Sequence, residues 1–230
     1  KLNNLMDELL LLDSDVKNKI ITVVADVSLE KDRQKVIDKA LSMFGNIDVL
    51  INLAGSMSFN EFSQEDSKTT DELFQVNILA PMHLTKMVVP HMVERGSGQI
   101  INIGSIFGSI SFAWFTTYSS TKFALRGFSE ALRRELDGTG VAVSYIAPRA
   151  VRTSFNSDSI TQMNDQLKTK MDSPVSVAKD IVKSIQNNTK EKYLGFPEKI
   201  FVRINNLFPR LIDRALKKQN QEAKKFINKK

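Results

Sequence analysis

Alternation restricts the fold of this chain more than any other feature. Short apolar, β-branched runs alternate with stretches of helical period. Lys19–Ala25 (KIITVVA), Ile47–Leu53, Gln99–Ile103 and Val141–Ile146 read as strands buried on both faces. Between them, Leu29–Phe44 reads as a helix capped by Ser28, with Val36, Ile37, Ala40, Leu41 and Phe44 as its apolar face. Ser67–Arg95 is helical, with irregularities expected at Pro81 and Pro90. Tyr118–Leu136 and Ser176–Gln186 are helical, and Tyr193–Phe196 reads as a short last strand. Residues 149–173 carry no period and are rich in Ser, Thr, Asn and Asp, as expected of a lid or binding segment. Strands alternating with helices imply parallel strands joined by right-handed crossovers, an α/β doubly wound sheet. No Pro/Gly linker interrupts it. One domain over residues 1–196 is therefore expected, followed by a helical arm, 197–230, with Ile200, Phe201, Ile204, Leu207, Phe208, Leu211, Ile212 and Leu216 as its apolar stripe.

Composition removes several kinds of chemistry. The chain has no cysteine, so disulfide scaffolds, zinc–thiolate sites, iron–sulfur clusters and thiol nucleophiles are excluded. With His83 and His91 its only histidines, a histidine-rich metal site or a serine–histidine triad is not expected. The net charge of +6 is concentrated in residues 198–230, which hold ten Lys/Arg and three Asp/Glu. A near-neutral body does not suit nucleic acid, which needs basic charge spread over a folded face. The basic arm suits a membrane surface or an acidic partner. No run of apolar residues is long enough to span a bilayer, and the first residues do not read as a signal peptide. A cytoplasmic protein, peripheral at a membrane at most, is the expectation.

The chemistry lies in Asn102-Ile-Gly-Ser-Ile-Phe-Gly108 followed by Tyr118-Ser-Ser-Thr-Lys122. Ser105 falls just beyond the end of a predicted strand, where doubly wound sheets bind ligands. Tyr118 and Lys122 stand four residues apart at the start of a helix, on one face. A free phenol, with a pKa near 10, is a poor acid or base at neutral pH, and an ammonium beside it favours the phenolate. A phenol tuned in this way can protonate a carbonyl oxygen or deprotonate an alcohol, while a serine hydroxyl holds the same oxygen. No side chain donates hydride, so a nicotinamide cofactor is implied.

With these residues the sequence resembles the short-chain dehydrogenase/reductase family up to about Phe196. The resemblance rests on Asp26-Val27, Asn52-Leu-Ala-Gly55, Asn77 in Phe74-Gln-Val-Asn77, the Ser105–Tyr118–Lys122 set and Pro148-Arg-Ala-Val-Arg-Thr153. It implies a Rossmann-like fold and an NAD- or NADP-dependent oxidoreductase acting on a carbonyl or alcohol. Tyr118 would be the acid/base and Ser105 would orient the substrate. Lys122 would bind the nicotinamide ribose and depress the Tyr118 pKa, and Asn77 would hold a water in a proton relay. Asp26 and Val27 would flank the adenine, although Asp26 also suits a simple turn. Asn52, Ala54 and Gly55 would line the cofactor cleft, and Pro148, Val151 and Thr153 would lie along the nicotinamide. A substrate lid would fall within 149–175. Met163, Leu167 and Met171 suggest an apolar portion of the substrate, and Trp114 and Phe115 would line or fill its pocket. The family's assembly through the helices that here hold Asn77 and Tyr118 implies a homodimer or homotetramer.

Three features depart from the family. Leu53 and Arg149 replace its usual Asn and Gly; Arg149 would narrow the nicotinamide pocket or reach a phosphate. No Gly-rich turn, either Thr-Gly-x-x-x-Gly-x-Gly or G-x-G-x-x-G, occurs. Residues 1–18 resemble the helix and loop that follow the family's second strand, so its first strand–Gly-rich turn–helix–strand unit, about 40 residues by analogy with the family, is expected to be absent, leaving strand edges without a partner. A catalytically silent sheet kept for association, or a membrane-surface protein working through its arm, is the alternative to an enzyme.

Overall fold

The structure, a computed structural model, describes residues 8–9 and 19–227. Contacts divide the chain into two compact units, Lys1–Asn46 and Ile47–Lys230. The second unit contains a four-stranded sheet in the order β1 (Val49–Asn52), β2 (Gly98–Ile103), β3 (Val141–Ala147), β4 (Glu191–Tyr193). All its pairings are parallel, with Asn52 opposite Asn102, Asn102 opposite Tyr145 and Ile146 opposite Lys192. The expected parallel α/β architecture is borne out, with strand boundaries moved by a few residues. The last strand lies earlier than its apolar residues suggest, because Tyr145 N–H pairs with the Lys190 carbonyl and draws 191–193 onto β3.

Two helices cover one face of this sheet, α3 (Ala80–Arg95) and α4 (Thr116–Glu135). Alternate residues of the strands point to it, and there Asn52 Nδ2 donates to Asn102 Oδ1 at 2.8 Å and Asn102 Nδ2 donates to Ser129 Oγ at 2.9 Å. On the opposite face, Val177, Ile181 and Ile185 of α6 (Pro174–Gln186) pack on Ile101, Ile103, Ile146 and Leu194. β1 differs from the expectation of burial on both faces. Val49, Ile51 and Leu53 share one side and are 40–64% exposed, while Asn52 on the other side is buried. Strand period puts every second residue on the same face, and no helix of this unit covers that one.

α2 (Ser67–Phe74) runs into α3 through a π-helical turn, Gln75–Leu79. The irregularity expected at the prolines lies just before them: Pro81 sits in the first turn of α3, and the helix continues through Pro90. The segment 149–173, read as aperiodic, contains a helix, α5 (Asp158–Gln166), whose N-cap Ser157 accepts from Ile160 N–H.

Within the first unit, Lys19–Ala25 is not a strand. A ladder needs a neighbour to accept and donate its backbone hydrogen bonds, and no strand pairs with it among the described residues. α1 (Glu30–Phe44) starts one residue later than expected, with Leu29 at its N-cap and no side-chain cap; Ser28 instead donates to Asp26. The reading of residues 1–18 lies outside the described residues, apart from Glu8 and Leu9.

The arm does not stand apart from the sheet. Pro209 divides it into α7 (Glu198–Leu207) and α8 (Pro209–Lys224), and both belong to the second unit. Val202 and Ile212 are buried against Ile106 and Ile110, while Ala223 and Phe226 join the cluster around Phe115 and Tyr118. No helix among the described residues is long and apolar enough to cross a membrane.

Candidate active site

Ser105 sits where β2 ends. Gly104 N–H donates to the Ile146 carbonyl at 2.7 Å and Ile106 N–H to the Pro148 carbonyl at 3.0 Å, so the chain follows β3 past the end of the sheet. Ser105 is extended and caps a short 3-10 turn, its Oγ accepting from Phe107 N–H at 3.1 Å. The Tyr145 hydroxyl accepts from Ser105 N–H at 3.4 Å and donates to the Ser105 carbonyl at 3.2 Å. This ring explains both glycines of the motif. A Cβ on Gly104 would stand 2.2 Å from the Tyr145 ring, and one on Gly108 would stand 2.3 Å from its hydroxyl and 2.7 Å from the Lys122 carbonyl. Gly104 and Gly108 make room for a tyrosine rather than for a phosphate.

Tyr118 and Lys122 lie on the buried stripe of α4 that continues through Leu125 and Ser129. The four-residue spacing puts both side chains under the β2 end. Burial pushes the pKa of the Tyr118 phenol up to about 12, against a smaller lowering by the Ser105 hydroxyl. Lys122 Nζ donates to the Ile103 carbonyl at 3.2 Å and lies 5.8 Å from the centre of the Tyr118 ring. Burial pulls the ammonium down to about 8. The expected depression of Tyr118 by Lys122 is therefore not seen in this chain by itself. Desolvation disfavours charge on both groups.

Asn77 is fully buried in the π-helical turn. Its Oδ1 accepts from Ser56 N–H at 2.8 Å, and its Nδ2 donates to the Ser56 carbonyl at 2.8 Å and to Thr121 Oγ1 at 3.0 Å. It thus ties the loop after β1 to α4, one residue before Lys122. The residue four beyond it is Pro81, which has no N–H, so the usual helical bond to the Asn77 carbonyl is not made there. A π-helical turn of this kind is often found at functional sites. Gly55 adjoins the same group: a Cβ there would fall 3.3 Å from Asn77 Oδ1 and 3.9 Å from Lys122 Nζ. Ser105, Tyr118, Lys122, Asn77 and Gly55 are therefore brought together.

The remaining residues are placed differently. Ala54 is exposed beside Gly55. The Asn52 amide is directed to Asn102 and, at 3.4 Å, to Thr85 Oγ1, beneath the sheet. Pro148 is buried against the Ser105 loop, and Val151 bridges to Asp172 at the base of the lid. Thr153 is exposed, and its Oγ1 accepts from Phe155 N–H at 3.3 Å. In the first unit, Asp26 forms a turn: its carboxylate accepts from Ser28 N–H and Oγ–H, which holds it below the usual carboxylate range, and the Val27 carbonyl accepts from Arg33.

Arg149 is directed to two carboxylates. Its side chain is 7% exposed and forks between Asp172, at 2.6 and 2.9 Å, and Glu198, at 3.1 Å. It joins the lid to α7. Gly195 allows this, since a Cβ there would lie 2.6 Å from Arg149 Cδ. A guanidinium with two carboxylates in reach gains more from that pairing than from an open pocket.

Aromatic side chains wall the Tyr118 side of the site. Phe107 meets Tyr118 edge-on at 6.1 Å and Phe115 at 5.1 Å, and Phe59 stacks on Phe115 at 4.7 Å. Phe115 is core. Trp114 is half-buried and donates from Nε1 to the Asn220 carbonyl at 2.9 Å, with Lys224 Nζ 5.1 Å above its ring. It fastens α8 to the loop before Tyr118. Met163 and Leu167 pack on the same cluster. Sequence reasoning missed Tyr145, Thr121 and Gly195. The two glycines flanking Ser105 were the available signal for a bulky neighbour, but the identity of that neighbour required the β2–β3 register.

A parallel sheet flanked by helices thus brings a half-buried serine and a buried tyrosine and lysine together at its carboxyl end. The chain belongs to the short-chain dehydrogenase/reductase family: the family model described as short chain dehydrogenase matches residues 3–164. It is 31% identical over 216 residues to the uncharacterized oxidoreductase YxnA of Bacillus subtilis, covering 90% of this chain and 61% of that protein. It is 36% identical over 174 residues to the ketoacyl reductase HetN of Nostoc, covering 75% of this chain and 60% of that protein. Among solved structures, ElxO with NADP bound matches with a TM-score of 0.68 at 25% identity, covering 82% of this chain and 81% of that one. The chain thus spans about three fifths of the length of these two curated relatives.

Proposed function

We propose that this chain carries the catalytic half of an NAD- or NADP-dependent oxidoreductase that interconverts a carbonyl and an alcohol, with Tyr118 as acid/base. One observation carries the reading: a buried Tyr118 phenol whose acidity the Ser105 hydroxyl influences, with Lys122 one helical turn along the same face. The kinship with proteins named oxidoreductase and ketoacyl reductase supports a ketone substrate, and ElxO supports a nicotinamide cofactor.

The residues at this end of the cleft fit such a cofactor. Lys122 has three N–H donors and gives one to Ile103, so two are available to ribose hydroxyls. Gly55 leaves open the space beside Asn77 and Lys122 that a side chain would occupy. A bound nicotinamide supplies hydride chemistry at the substrate carbon. In the reductive direction, Ser105 Oγ donates a hydrogen bond to the substrate oxygen. Tyr118 passes its phenolic proton to that oxygen as the C–O bond gains alcohol character. The resulting phenolate is stabilised by the Lys122 ammonium and regains a proton from solvent, with Asn77 holding the polar path to Lys122 in place. Burial keeps Tyr118 protonated in the free chain, so release of its proton relies on the Lys122 ammonium stabilising the phenolate that forms.

Phe74, Met82 and Phe123, on α2, α3 and α4, are large apolar residues left 36–40% exposed, which supports a homo-oligomer assembled through these helices.

The test is oxidation of NADH and NADPH with a panel of ketones, followed by nicotinamide absorbance, for the wild-type chain and for Tyr118→Phe. Turnover by the wild type and its loss by a thousandfold or so in the variant is expected, in keeping with acid–base catalysis. Undiminished turnover in Tyr118→Phe would remove the mechanism.

A further inference from the structure

The arm has two faces, and only one is used inside the protein. Val202, Ile212 and Leu216 turn inward to Ile106, Ile110 and Tyr193. The other face is apolar and exposed. Leu207 is 72% exposed, Phe208 60% and Leu211 58%, and all three lie at the corner where α7 meets α8. Leu211 N–H donates to the Phe208 carbonyl, so the three are within one turn of each other. Phe196, Ile200 and Phe201 extend the patch along α7. An apolar patch of this kind on a protein surface marks a contact site.

Charge identifies the partner. Residues 196–218 carry Lys199, Arg203, Arg210, Arg214, Lys217 and Lys218 against Glu198 and Asp213. Glu198 is already paired with Arg149. None of the six cations forms a salt bridge among the described residues, and Lys199 lies 5.9 Å over the Phe196 ring. Helical spacing sets cations and apolar residues side by side: Ile200, Arg203 and Leu207 follow one face of α7, and Leu211, Arg214 and Lys218 follow one face of α8. A symmetric contact with a second copy would bring two such basic faces together, which like charges oppose. An anionic bilayer surface satisfies both features at once, with side chains such as Leu207 and Phe208 in the acyl boundary and the cations at the headgroups.

We propose that the α7–α8 corner docks the protein on anionic lipid membranes as a peripheral contact, independently of the assigned oxidoreductase chemistry. Docking through this face leaves Val202 of α7 packed on Ile106, next to Ser105.

The experiment is sedimentation of the full chain with phosphatidylglycerol-rich vesicles and with pure phosphatidylcholine vesicles, alongside light scattering of the protein alone. The wild type is expected to sediment with the anionic vesicles and to be released by salt. Leu207→Ser/Phe208→Ser/Leu211→Ser should weaken partitioning by more than about tenfold. Arg210→Glu/Arg214→Glu should weaken it by at least about tenfold, since each cation near such a surface contributes about fivefold. Circular dichroism checks that the variants fold; if the apolar variant does not, the charge variant decides. Failure to sediment with anionic vesicles overturns the proposal, as does equal binding to neutral vesicles that the charge variant leaves unchanged. A wild-type oligomer that falls apart in the apolar variant would show that a second copy covers this face, and would also overturn it.

Discussion

The Tyr145 hydroxyl holds both backbone groups of Ser105, taking its N–H at 3.4 Å and giving to its carbonyl at 3.2 Å. Tyr145 comes from the neighbouring strand, so the position of the serine depends on the β2–β3 register rather than on its own loop. Tyr145→Phe leaves the ring in place and removes the clamp. The variant should lose about 1–2 kcal/mol of stability, the cost of leaving buried polar groups unpaired. The kcat for ketone reduction should fall more than KM rises, because Ser105 would be displaced without losing its hydroxyl. Urea unfolding and steady-state kinetics check the two effects.

Gly104→Ala tests the same contact from the other side. Its methyl would stand 2.2 Å from the Tyr145 ring, with backbone on the glycine's side and sheet on the tyrosine's. Overpacking at such a site should cost about 2–3 kcal/mol. Gly104→Ala combined with Tyr145→Phe should recover little of that, since the ring remains. Thermal unfolding of both variants provides the check.

Arg149→Ala should loosen the lid and α7 together. It strands Asp172 and Glu198, whose side chains are about a quarter exposed, so the loss is smaller than for a fully buried pair, about 1–2 kcal/mol. Faster proteolysis within 150–172 and at the start of α7, measured by limited digestion, is the expected outcome.

Stability should depend on pH in a defined way. Burial holds the Lys122 ammonium near 8 in the folded chain, well below its value in an unfolded one. Between these two values the unfolded chain binds the extra proton, so stability should rise as pH increases from about 8 to about 10. Burial has the opposite effect on Tyr118, raising it to about 12. Above its unfolded value near 10 the folded chain binds the extra proton, and stability should decline again. Urea midpoints across pH 7–11 should therefore pass through a maximum near 10, and Lys122→Met should abolish the rising limb.

The sequence by itself determined the alternation of strands and helices, the parallel α/β class and the family. It also put Ser105, Tyr118 and Lys122 in one place, because a strand end and a four-residue helical spacing are local facts. It could not determine the role of a residue whose partners are far along the chain. Arg149 meets Asp172 and Glu198 across 23 and 49 residues of chain. Trp114 meets Asn220 across more than a hundred residues. Lys19–Ala25 has the composition of a strand, yet a strand exists only with a hydrogen-bonding neighbour. The sign of the pKa shift at Tyr118 was also hidden: spacing suggests a nearby cation, whereas burial, which only packing creates, decides which effect wins. Local chemistry is written in sequence, but desolvation and long-range pairing arise only once the chain has closed on itself.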